Sequence, residues 1–376
     1  MESYLTAQIS ASAIRANLRL LRQRIPRSTK LCAVVKADCY GHGLAQLVHL
    51  LSSEADSLGV ATPEEAIHLR RLGYNGPILV FFSPLGYGEG PELREALEEL
   101  IARGVTLTLA SGRGIRAVAE AAKRVDAFAR VHVKVDSGMG RSGVLPEATP
   151  ALVRRIRDTP GIRLLGLYTH FAIAEEEDKA YTRSQLQRFL AAAEAAGGRD
   201  GLTLHAANSA ATLDLPETHL DMIRPGLAVY GYQPSDQMQT KLPLRPALRL
   251  IGRLTQVKDL PAGSRCGYGL RYTFDRDSRV GLVPIGYGDG YLRCLSDKTF
   301  VRVRGQLVPT RGTISMDQIT VDLTDVPSAV VGDEVEIISP DPTAPNSVES
   351  LARLAGTIPY EITCRLGPRI RRQLVK

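Results

Sequence analysis

Strand-like and helix-like segments alternate through about the first 240 residues, and this alternation limits the possible folds more than any other feature. Thr62-Pro63-Glu64-Glu65 shows one typical helix start, with a cap residue, proline at the first helical position and acids in the first turn. Eight short strands, each followed by a helix, predict a TIM-type (β/α)8 barrel, with an open doubly wound sheet as the alternative. The strand-like segments are KLCAVVK, SLGVAT, PILVFFS, VTLTLAS, ARVHVKVD, RLLGLYTH, LTLHAANS and LDMIRPG.

The pattern changes after residue 244. Strands in which apolar and polar residues alternate follow one another, separated by turn residues, and one late helix, SVESLARLAG, interrupts them. This texture is typical of an antiparallel β domain with one face in water. We therefore expect a barrel over residues 1–244 and a mainly antiparallel β domain over residues 245–376. The strand-like segments are LRLIGRLTQV, RVGLVPIGYG, FVRVRGQLVP, ISMDQITVDL and DEVEIIS.

Composition narrows the class of protein. The 376 residues carry a net charge of +7, but lysine and arginine are spread along the chain and aromatic residues make up only 5%, which disfavours nucleic-acid binding. An anionic small ligand fits the charge equally well. The five cysteines are scattered without a CxxC pair, which argues against a disulfide framework or a metal site. With no apolar run of about 20 residues and no signal peptide in MESYLTAQIS, we expect no membrane association and a cytoplasmic location.

Several polar residues follow the predicted barrel strands directly. The carboxyl ends of barrel strands form the face on which such folds build active sites. One such side chain alone is usually a solvated or capping group, but several on one face indicate a site. They are Lys36 after the first strand, Asp136 and Arg141 after the fifth, His170 at the end of the sixth, Asn208 and Ser209 after the seventh, and Arg224 at the end of the eighth.

Lys36 suggests covalent chemistry with a carbonyl compound. Burial at a strand end lowers the pKa of a lysine, and a neutral amine forms a Schiff base with an aldehyde. This predicts either a carbonyl substrate, as in a barrel aldolase, or pyridoxal phosphate (PLP). The segments NSAA and RPGL offer a phosphate site, with the Ser209 hydroxyl and the backbone N–H groups of Gly226 and Leu227, although ordinary tight turns have the same composition.

The segment GMGRSG, residues 138–143, matches the dinucleotide pattern GxGxxG and follows a strand. A dinucleotide site also needs a helix that begins inside the motif. Here the loop continues through VLPEATP before the next helical pattern, which disfavours a dinucleotide.

Taken together, the motifs resemble those of the alanine racemases. AVVKADCYGHG resembles that family's PLP-lysine signature, and the resemblance continues in order to the end of the chain. It implies a fold-type III PLP enzyme with an N-terminal barrel, a C-terminal β domain and a homodimer that shares its active sites. The implied reaction interconverts L-alanine and D-alanine and supplies D-alanine for peptidoglycan. The other matching segments are VKVDSGMGRSG, YTHFA, HAANSA, IRPGLAVYG, CGYGLRY, GYGDGY, GTISMDQ and IPYE.

The resemblance also implies roles for single residues. Lys36 and Tyr268 are the two bases, Tyr268 coming from the other chain, and Lys134 matches a lysine that is often carbamylated and braces Arg141. Arg224 faces the pyridine nitrogen, and because arginine keeps its proton, that nitrogen stays unprotonated. The implied cofactor-binding residues are Lys36, Tyr40, His170, Asn208, Ser209, Arg224, Gly226, Leu227 and Tyr360. The implied substrate-binding residues are Arg141, Met316, Tyr287 and Asp317.

The sequence departs from the family pattern near the lysine and in the C-terminal part. Asp38 and Cys39 replace an asparagine and an alanine after Lys36, Ser315 replaces a common cysteine, and Gly288 replaces a common alanine. Asp38 adds a charge beside the lysine loop.

Three other functions remain open: a racemase for serine or a broader range of amino acids, a PLP decarboxylase of the same fold, and a PLP-binding carrier. The bulky Tyr360 and Met316 favour alanine. CGYGLRY with SMDQ disfavours the decarboxylase, and the C-terminal domain with its candidate base disfavours the carrier.

Overall fold

The computed structural model describes residues 4–83, 90–199 and 201–376. Two large sheets dominate it, one parallel and one mainly antiparallel. The strands are β1 (Thr6–Ser10), β2 (Lys30–Val34), β3 (Ser57–Val60), β4 (Ile78–Val80), β5 (Thr106–Leu109), β6 (Ala129–Lys134), β7 (Ile162–Tyr168), β8 (Thr203–His205), β9 (Met222–Ile223), β10 (Leu248–Arg253), β11 (Gln256–Leu260), β12 (Arg265–Cys266), β13 (Tyr272–Thr273), β14 (Ser278–Val283), β15 (Phe300–Val303), β16 (Gln306–Arg311), β17 (Ile319–Asp322), β18 (Glu334–Ile338) and β19 (Arg371–Val375). The α-helices are α1 (Ala11–Arg24), α2 (Lys36–Tyr40), α3 (Leu44–Glu54), α4 (Pro63–Arg71), α5 (Pro91–Ala102), α6 (Arg113–Arg124), α7 (Thr149–Arg157), α8 (Ala180–Ala195), α9 (Ser209–Asp214), α10 (Val348–Ala355) and α11 (Pro359–Cys364).

The first sheet is the predicted barrel. Its eight parallel strands run in the order β8-β7-β6-β5-β4-β3-β2-β9, and each coincides with one of the predicted segments. Two backbone bonds close the ring between β8 and β9: Asp221 N–H donates to the Leu204 carbonyl at 3.0 Å, and Arg224 N–H donates to the Ala207 carbonyl at 2.9 Å. The barrel prediction is therefore confirmed, and the open doubly wound alternative is wrong.

The second sheet has nine strands in the order β11-β14-β17-β16-β15-β18-β10-β1-β19. Apart from the parallel pair β1 and β19, its neighbouring strands are antiparallel, as predicted for the C-terminal part. Strand β1 at the start of the chain also belongs to this sheet, where Thr6 lies opposite Ile251 of β10 and Arg371 of β19. The predicted division at residue 244 groups these first residues with the barrel instead.

Local sequence motifs determine where helices around the barrel begin. At the start of α4 the Thr62 hydroxyl accepts a hydrogen bond from Glu65 N–H, and the Glu65 carboxylate accepts one from Thr62 N–H, both at 3.3 Å. This is the predicted helix start, in the form of a capping box. Helices around the barrel bury one face against it, as α6 does with Ile115 and Val118.

No helix within the described ranges combines the length and the apolar character that a membrane crossing requires.

Candidate active site

A cavity of about 820 Å³ opens at the carboxyl ends of the barrel strands. The structure brings eleven of the residues predicted to form the site together there: Lys36, Tyr40, Lys134, Arg141, His170, Asn208, Ser209, Arg224, Gly226, Leu227 and Tyr360. Tyr360 comes from α11 of the C-terminal part, and the others follow or end barrel strands. The remaining lining residues carry no sequence motif of their own and are Val34, Ala61, Phe81, Phe82, Ser83, Ser142 and Tyr168.

Lys36 begins an unusual turn of backbone. The four residues after it, 37–40, have φ angles between 51° and 56°, so α2 is a single left-handed turn. Such a turn costs roughly 1–2 kcal/mol per residue for L-amino acids. Strain of this kind persists only where the surroundings enforce it, and it is concentrated at functional sites. Burial lowers the pKa of Lys36, and the nearby charge of Arg141 lowers it further.

Two carboxylates hold this turn in place. Glu65 of α4 accepts hydrogen bonds from the N–H groups of Ala37 and Ala61, both at 2.7 Å, in addition to closing its capping box. Asp38 accepts from Leu44 N–H at 2.6 Å and so caps the start of α3. Asp38, which departs from the family pattern, therefore uses its carboxylate to cap a helix. The sequence identified Glu65 only as part of a helix start, and its second role has no local signal.

Tyr40 and the loops after β8 and β9 form one wall of the cavity. Asn208 caps α9 by accepting from Ala211 N–H at 3.0 Å, and the Ser209 hydroxyl accepts from the N–H groups of Gly226 and Ala228 at 3.0 and 3.2 Å. The Gly226 N–H, predicted to face a phosphate, thus already has a partner. A Cβ atom at Gly226 would lie 2.2 Å from the Tyr40 hydroxyl, so only glycine leaves this cradle open.

Arg224 is a buried cation with neutral partners. It is 4% exposed and donates hydrogen bonds to His205 Nδ1 at 2.7 Å, to the Thr169 carbonyl at 2.7 Å and to the Ala206 carbonyl at 3.2 Å. Among the described residues no carboxylate lies within ion-pair distance of its guanidinium. A buried charge without a counter-ion is costly, so the arrangement favours an anionic or hydrogen-bond-accepting ligand in the cavity.

Behind Arg224 lies a chain of two histidines that the sequence analysis missed. His205 Nε2 and His132 Nδ1 are 2.7 Å apart, and the Tyr168 ring stacks on His205 with centroids 4.8 Å apart. Burial lowers the pKa of His132 to about 3 and that of His205 well below its ordinary value, the Arg224 charge acting in the same direction. The available signal was that both histidines lie in barrel strands, whose inward side chains fill the barrel.

Lys134 and Arg141 line the side of the cavity next to Lys36. The Lys134 amine donates a hydrogen bond to the Ser142 hydroxyl at 2.7 Å. Burial, followed by the charges of Arg141 and Arg224, lowers the pKa of Lys134 to about 8. Burial and the same two arginines also hold the pKa of His170 well below its ordinary value. The site is therefore strongly electropositive, with its histidine neutral.

Asp136 and the other four residues with implied roles do not line this cavity. Tyr268, Tyr287 and Met316 are exposed by 72%, 43% and 53% on the C-terminal part. The chain segment 313–317, which contains Met316 and Asp317, contacts both tyrosines. Tyr287 N–H donates to the Ser315 carbonyl, and the Thr313 hydroxyl donates to the Tyr268 carbonyl. Asp317 forms an ion pair with Arg369 at 2.7 Å. The structure thus divides the predicted site into the cavity and a second, exposed cluster.

Gly288 beside this cluster has a steric reason. A Cβ atom there would lie 2.7 Å from an Arg369 nitrogen and 3.0 Å from the Met316 carbonyl oxygen. Glycine at position 288, where the family commonly has alanine, therefore leaves the space in which Arg369 pairs with Asp317.

The charges of the cavity indicate what it can hold. Lys36, Lys134, Arg141 and Arg224 all line it, whereas no aspartate or glutamate does among the described residues. A phosphate group and a carboxylate together balance such a set of cations. The Lys36 amine can react with a carbonyl carbon. The residues therefore fit a phosphorylated aldehyde next to a substrate that carries a carboxylate.

Comparisons with known proteins agree with this geometry. The sequence model described as alanine racemase, N-terminal domain, matches residues 9–234, and the one for the C-terminal domain matches residues 247–374. The alanine racemase of Desulfovibrio desulfuricans is 41% identical over 375 residues, covering 98% of both chains, and that of Methanococcus maripaludis is 36% identical, covering 97% of both. The crystal structure of an alanine racemase from Streptomyces lavendulae superimposes with a TM-score of 0.91 at 37% identity, covering 100% of this chain and 98% of that one.

Proposed function

The chain belongs to the alanine racemase family and is a racemase enzyme, and from that premise we propose that it interconverts L-alanine and D-alanine with PLP and two bases, Lys36 and Tyr268. The observation that carries the proposal is the cavity itself, in which Lys36 stands among three further cations and no described carboxylate. A barrel aldolase would share the lysine, but not the match over both domains.

The cavity residues suit PLP one group at a time. When bound, PLP withdraws electrons from the substrate's α-carbon and makes its proton removable. Lys36 would hold the cofactor covalently, and Arg224 would face its pyridine nitrogen. Because Arg224 keeps its proton, it would act there as a hydrogen-bond donor. His170 would lie by the ring, and the phosphate would meet Tyr40, Asn208, Ser209, Leu227 and Tyr360. Gly226, whose N–H already binds Ser209, would leave the space for it.

Racemisation needs one base on each face of the α-carbon. Lys36 serves one face from inside the cavity. Tyr268 is 72% exposed and outside the cavity, which supports the proposal that it serves the other face in the cavity of a partner subunit. The exposed cluster with Tyr287, Met316 and Asp317 would lie at the same cavity of the partner subunit. The proposed domain 245–376 of each chain would thus complete the active site of the other chain in a homodimer.

Substrate recognition would fall to Arg141, which lines the cavity close enough to Lys36 for its charge to lower the pKa of that lysine. Lys134, whose pKa of about 8 leaves part of its amine neutral, would carry a carbamate that braces Arg141. Tyr360 in the cavity and Met316 from the partner subunit would crowd the β-carbon, which favours alanine over serine and larger amino acids. We propose that the D-alanine supplies peptidoglycan synthesis in the cytoplasm.

The proposal is tested with purified protein. Added PLP should bind, and borohydride should fix it to the peptide that contains Lys36, as read by mass spectrometry. Each L-amino acid in turn is then incubated with the holoenzyme, and the D-product is measured by chiral chromatography. Alanine should be preferred over serine, whereas serine turned over as well as alanine would favour a broader racemase. Labelling of another lysine would refute the role of Lys36.

A further inference from the structure

The loop after β6 closes around one carboxylate. Asp136 Oδ1 accepts hydrogen bonds from the N–H groups of Gly138, Met139 and Gly140 at 3.1, 2.8 and 3.1 Å, and Oδ2 accepts from Arg141 N–H at 3.0 Å. Four consecutive backbone donors therefore converge on a single side chain. Burial raises the pKa of Asp136, but these four bonds outweigh it and leave the pKa below its ordinary value.

The glycines of the GMGRSG segment have their explanation in this loop. Gly138, Gly140 and Gly143 have φ angles of 133°, 70° and 138°, a region that L-residues rarely adopt. A Cβ atom at Gly143 would lie 2.5 Å from the Asp136 nitrogen. The pattern that resembles a dinucleotide fingerprint thus wraps a carboxylate of its own chain, whose bonds use the donors that a phosphate would need.

Arg141 is the last residue of the wrapped segment, and it lines the cavity. Among the described residues no carboxylate lies within ion-pair distance of it. Asp136 is the nearest acid in sequence, and its carboxylate already accepts four backbone N–H groups, three of them on Oδ1. The side chain of Arg141 therefore stays available to the cavity, where the proposed Lys134 carbamate would brace it and an incoming carboxylate would pair with it.

We infer that Asp136 is a positioning residue for substrate recognition: it fixes the backbone of Arg141 at the cavity wall by binding four consecutive N–H groups of the loop. The inference rests on the proposed role of Arg141 toward the substrate carboxylate. Asp136 touches no reacting atom in this scheme. Its contribution lies in affinity for the carboxylate, because an arginine that must be ordered on binding recognises its ligand less tightly.

The test compares Asp136→Asn with the wild-type holoenzyme. The amide has the same size but replaces one acceptor with N–H donors that face backbone N–H groups, so the wrapped segment cannot keep all four bonds. The matched control is Asp341→Asn, since Asp341 also accepts from a backbone N–H, that of Thr343 at 2.9 Å, in an exposed turn outside the cavity. Borohydride labelling at Lys36 and circular dichroism verify that each variant is folded and loaded.

Three measurements then separate positioning from general damage. Propionate carries the carboxylate without the amine, and ethylamine carries the amine without the carboxylate. Asp136→Asn should raise the KM for L-alanine and the inhibition constant of propionate by about tenfold or more, with kcat and the inhibition constant of ethylamine within about threefold of wild type. Asp341→Asn should change none of them. Equal losses for propionate and ethylamine, or an unchanged propionate constant, would overturn the inference.

A second variant covers the case in which Asp136→Asn does not fold. In Gly140→Ala the backbone at φ 70° is strained, although no described atom lies within 4 Å of the added Cβ. The control is Gly73→Ala, where φ is 85° and the added Cβ is also without a described neighbour within 4 Å. Only Gly140→Ala should weaken propionate binding, measured by calorimetry. Because propionate binding needs no turnover, this result supports the inference even if wild-type protein fails to racemise alanine, and that failure would count against the proposed function alone. Equal propionate affinity in both glycine variants would overturn the inference.

Discussion

Arg224 fixes the proton positions of its neighbours. A guanidinium can only donate, so His205 Nδ1, which receives the bond from Arg224, must be without a proton. The neutral His205 then carries its proton on Nε2 and donates it to His132 Nδ1, which leaves the His132 proton on Nε2 as well. The buried Arg224 thereby selects a single tautomer for both histidine rings. The hydrogen bond from His205 to His132 in turn fixes the ring that accepts the bond from the guanidinium.

This selection can be observed by NMR. In protein labelled with ¹⁵N-histidine, both rings should show the Nε2–H tautomer, and neither should take up a second proton between pH 8 and pH 5, because burial lowers the pKa of His132 to about 3 and that of His205 well below its ordinary value. His132→Gln and His205→Gln assign the two signals. An Nδ1–H signal from His205, or protonation of both rings near pH 6.5, would contradict the hydrogen-bond chain.

Lys134 leads to a second expectation. With a pKa of about 8, about one tenth of its amine is neutral at pH 7, whereas an ordinary lysine has far less than one hundredth. Neutral amines react with carbon dioxide, so ¹³C-bicarbonate should give a carbamate resonance that disappears in Lys134→Ala and persists in Lys298→Ala. The resonance should weaken as the pH falls below about 8, since the amine becomes protonated. No resonance dependent on Lys134 at pH 8 would refute the carbamate.

At the scale of single residues, the sequence predicted Lys36 and Arg224 but missed His132 and His205. Lys36 and Arg224 were recognisable because polar groups at strand ends are unexpected in an apolar pattern. His132 lies inside β6, and His205 ends β8 but stands in the middle of the predicted segment LTLHAANS, so each was interpreted as part of the barrel's filling. Only the strand order β6-β7-β8, in which the small Gly166 of β7 lies between the two histidine strands, shows that the two rings meet.

Among the elements, the left-handed turn α2 could not be foreseen. Glycines at positions 41 and 43 mark a turn, but no local propensity places Ala37 and its three successors at positive φ. The turn is maintained by bonds from elsewhere, since Glu65 on α4 binds Ala37 N–H, and Asp38 binds the start of α3. Its geometry depends on tertiary contacts that the sequence does not display.

The turn α2 also fixes the position of Tyr40. The Tyr40 hydroxyl lies against Gly226 in the loop after β9, where a larger residue would collide with it. In Gly226→Ala the new Cβ atom would lie 2.2 Å from the Tyr40 hydroxyl, and that ring is confined between Tyr230 and Tyr360, at 5.2 and 5.8 Å. Overpacking of this kind costs roughly 1–3 kcal/mol. We expect PLP to bind about tenfold or more weakly, measured by absorbance titration of the apoenzyme.

The control for this substitution is Gly90→Ala, where no described atom lies within 4 Å of the added Cβ. Its PLP affinity should equal that of wild type. An unchanged affinity in Gly226→Ala, with the thermal midpoint also unchanged, would mean that Tyr40 is not held in place for the cofactor.

For the whole molecule, the regular alternation of strands and helices was enough to predict the barrel. The position of β1 was not predictable in this way, because its partners β10 and β19 lie far along the chain. Its burial pattern alternates like that of any half-buried strand. The consequence is mechanical: the first residues of the chain bind the nine-stranded sheet, so the barrel and that sheet are connected at two points.

The exposed position of Tyr268 makes the shared site testable with two inactive chains. In a heterodimer of Lys36→Ala and Tyr268→Phe, one site has an intact Lys36 from one chain and an intact Tyr268 from the other, and the second site has neither. Each variant alone should lose about 10²- to 10⁴-fold in racemisation, as expected when a positioned base is removed. Heterodimers isolated through two different affinity tags should recover about half of the wild-type activity, because one of their two sites is complete. If Tyr268 acted within its own chain, neither site of the heterodimer would be complete, and isolated heterodimers as inactive as the separate variants would refute the shared site.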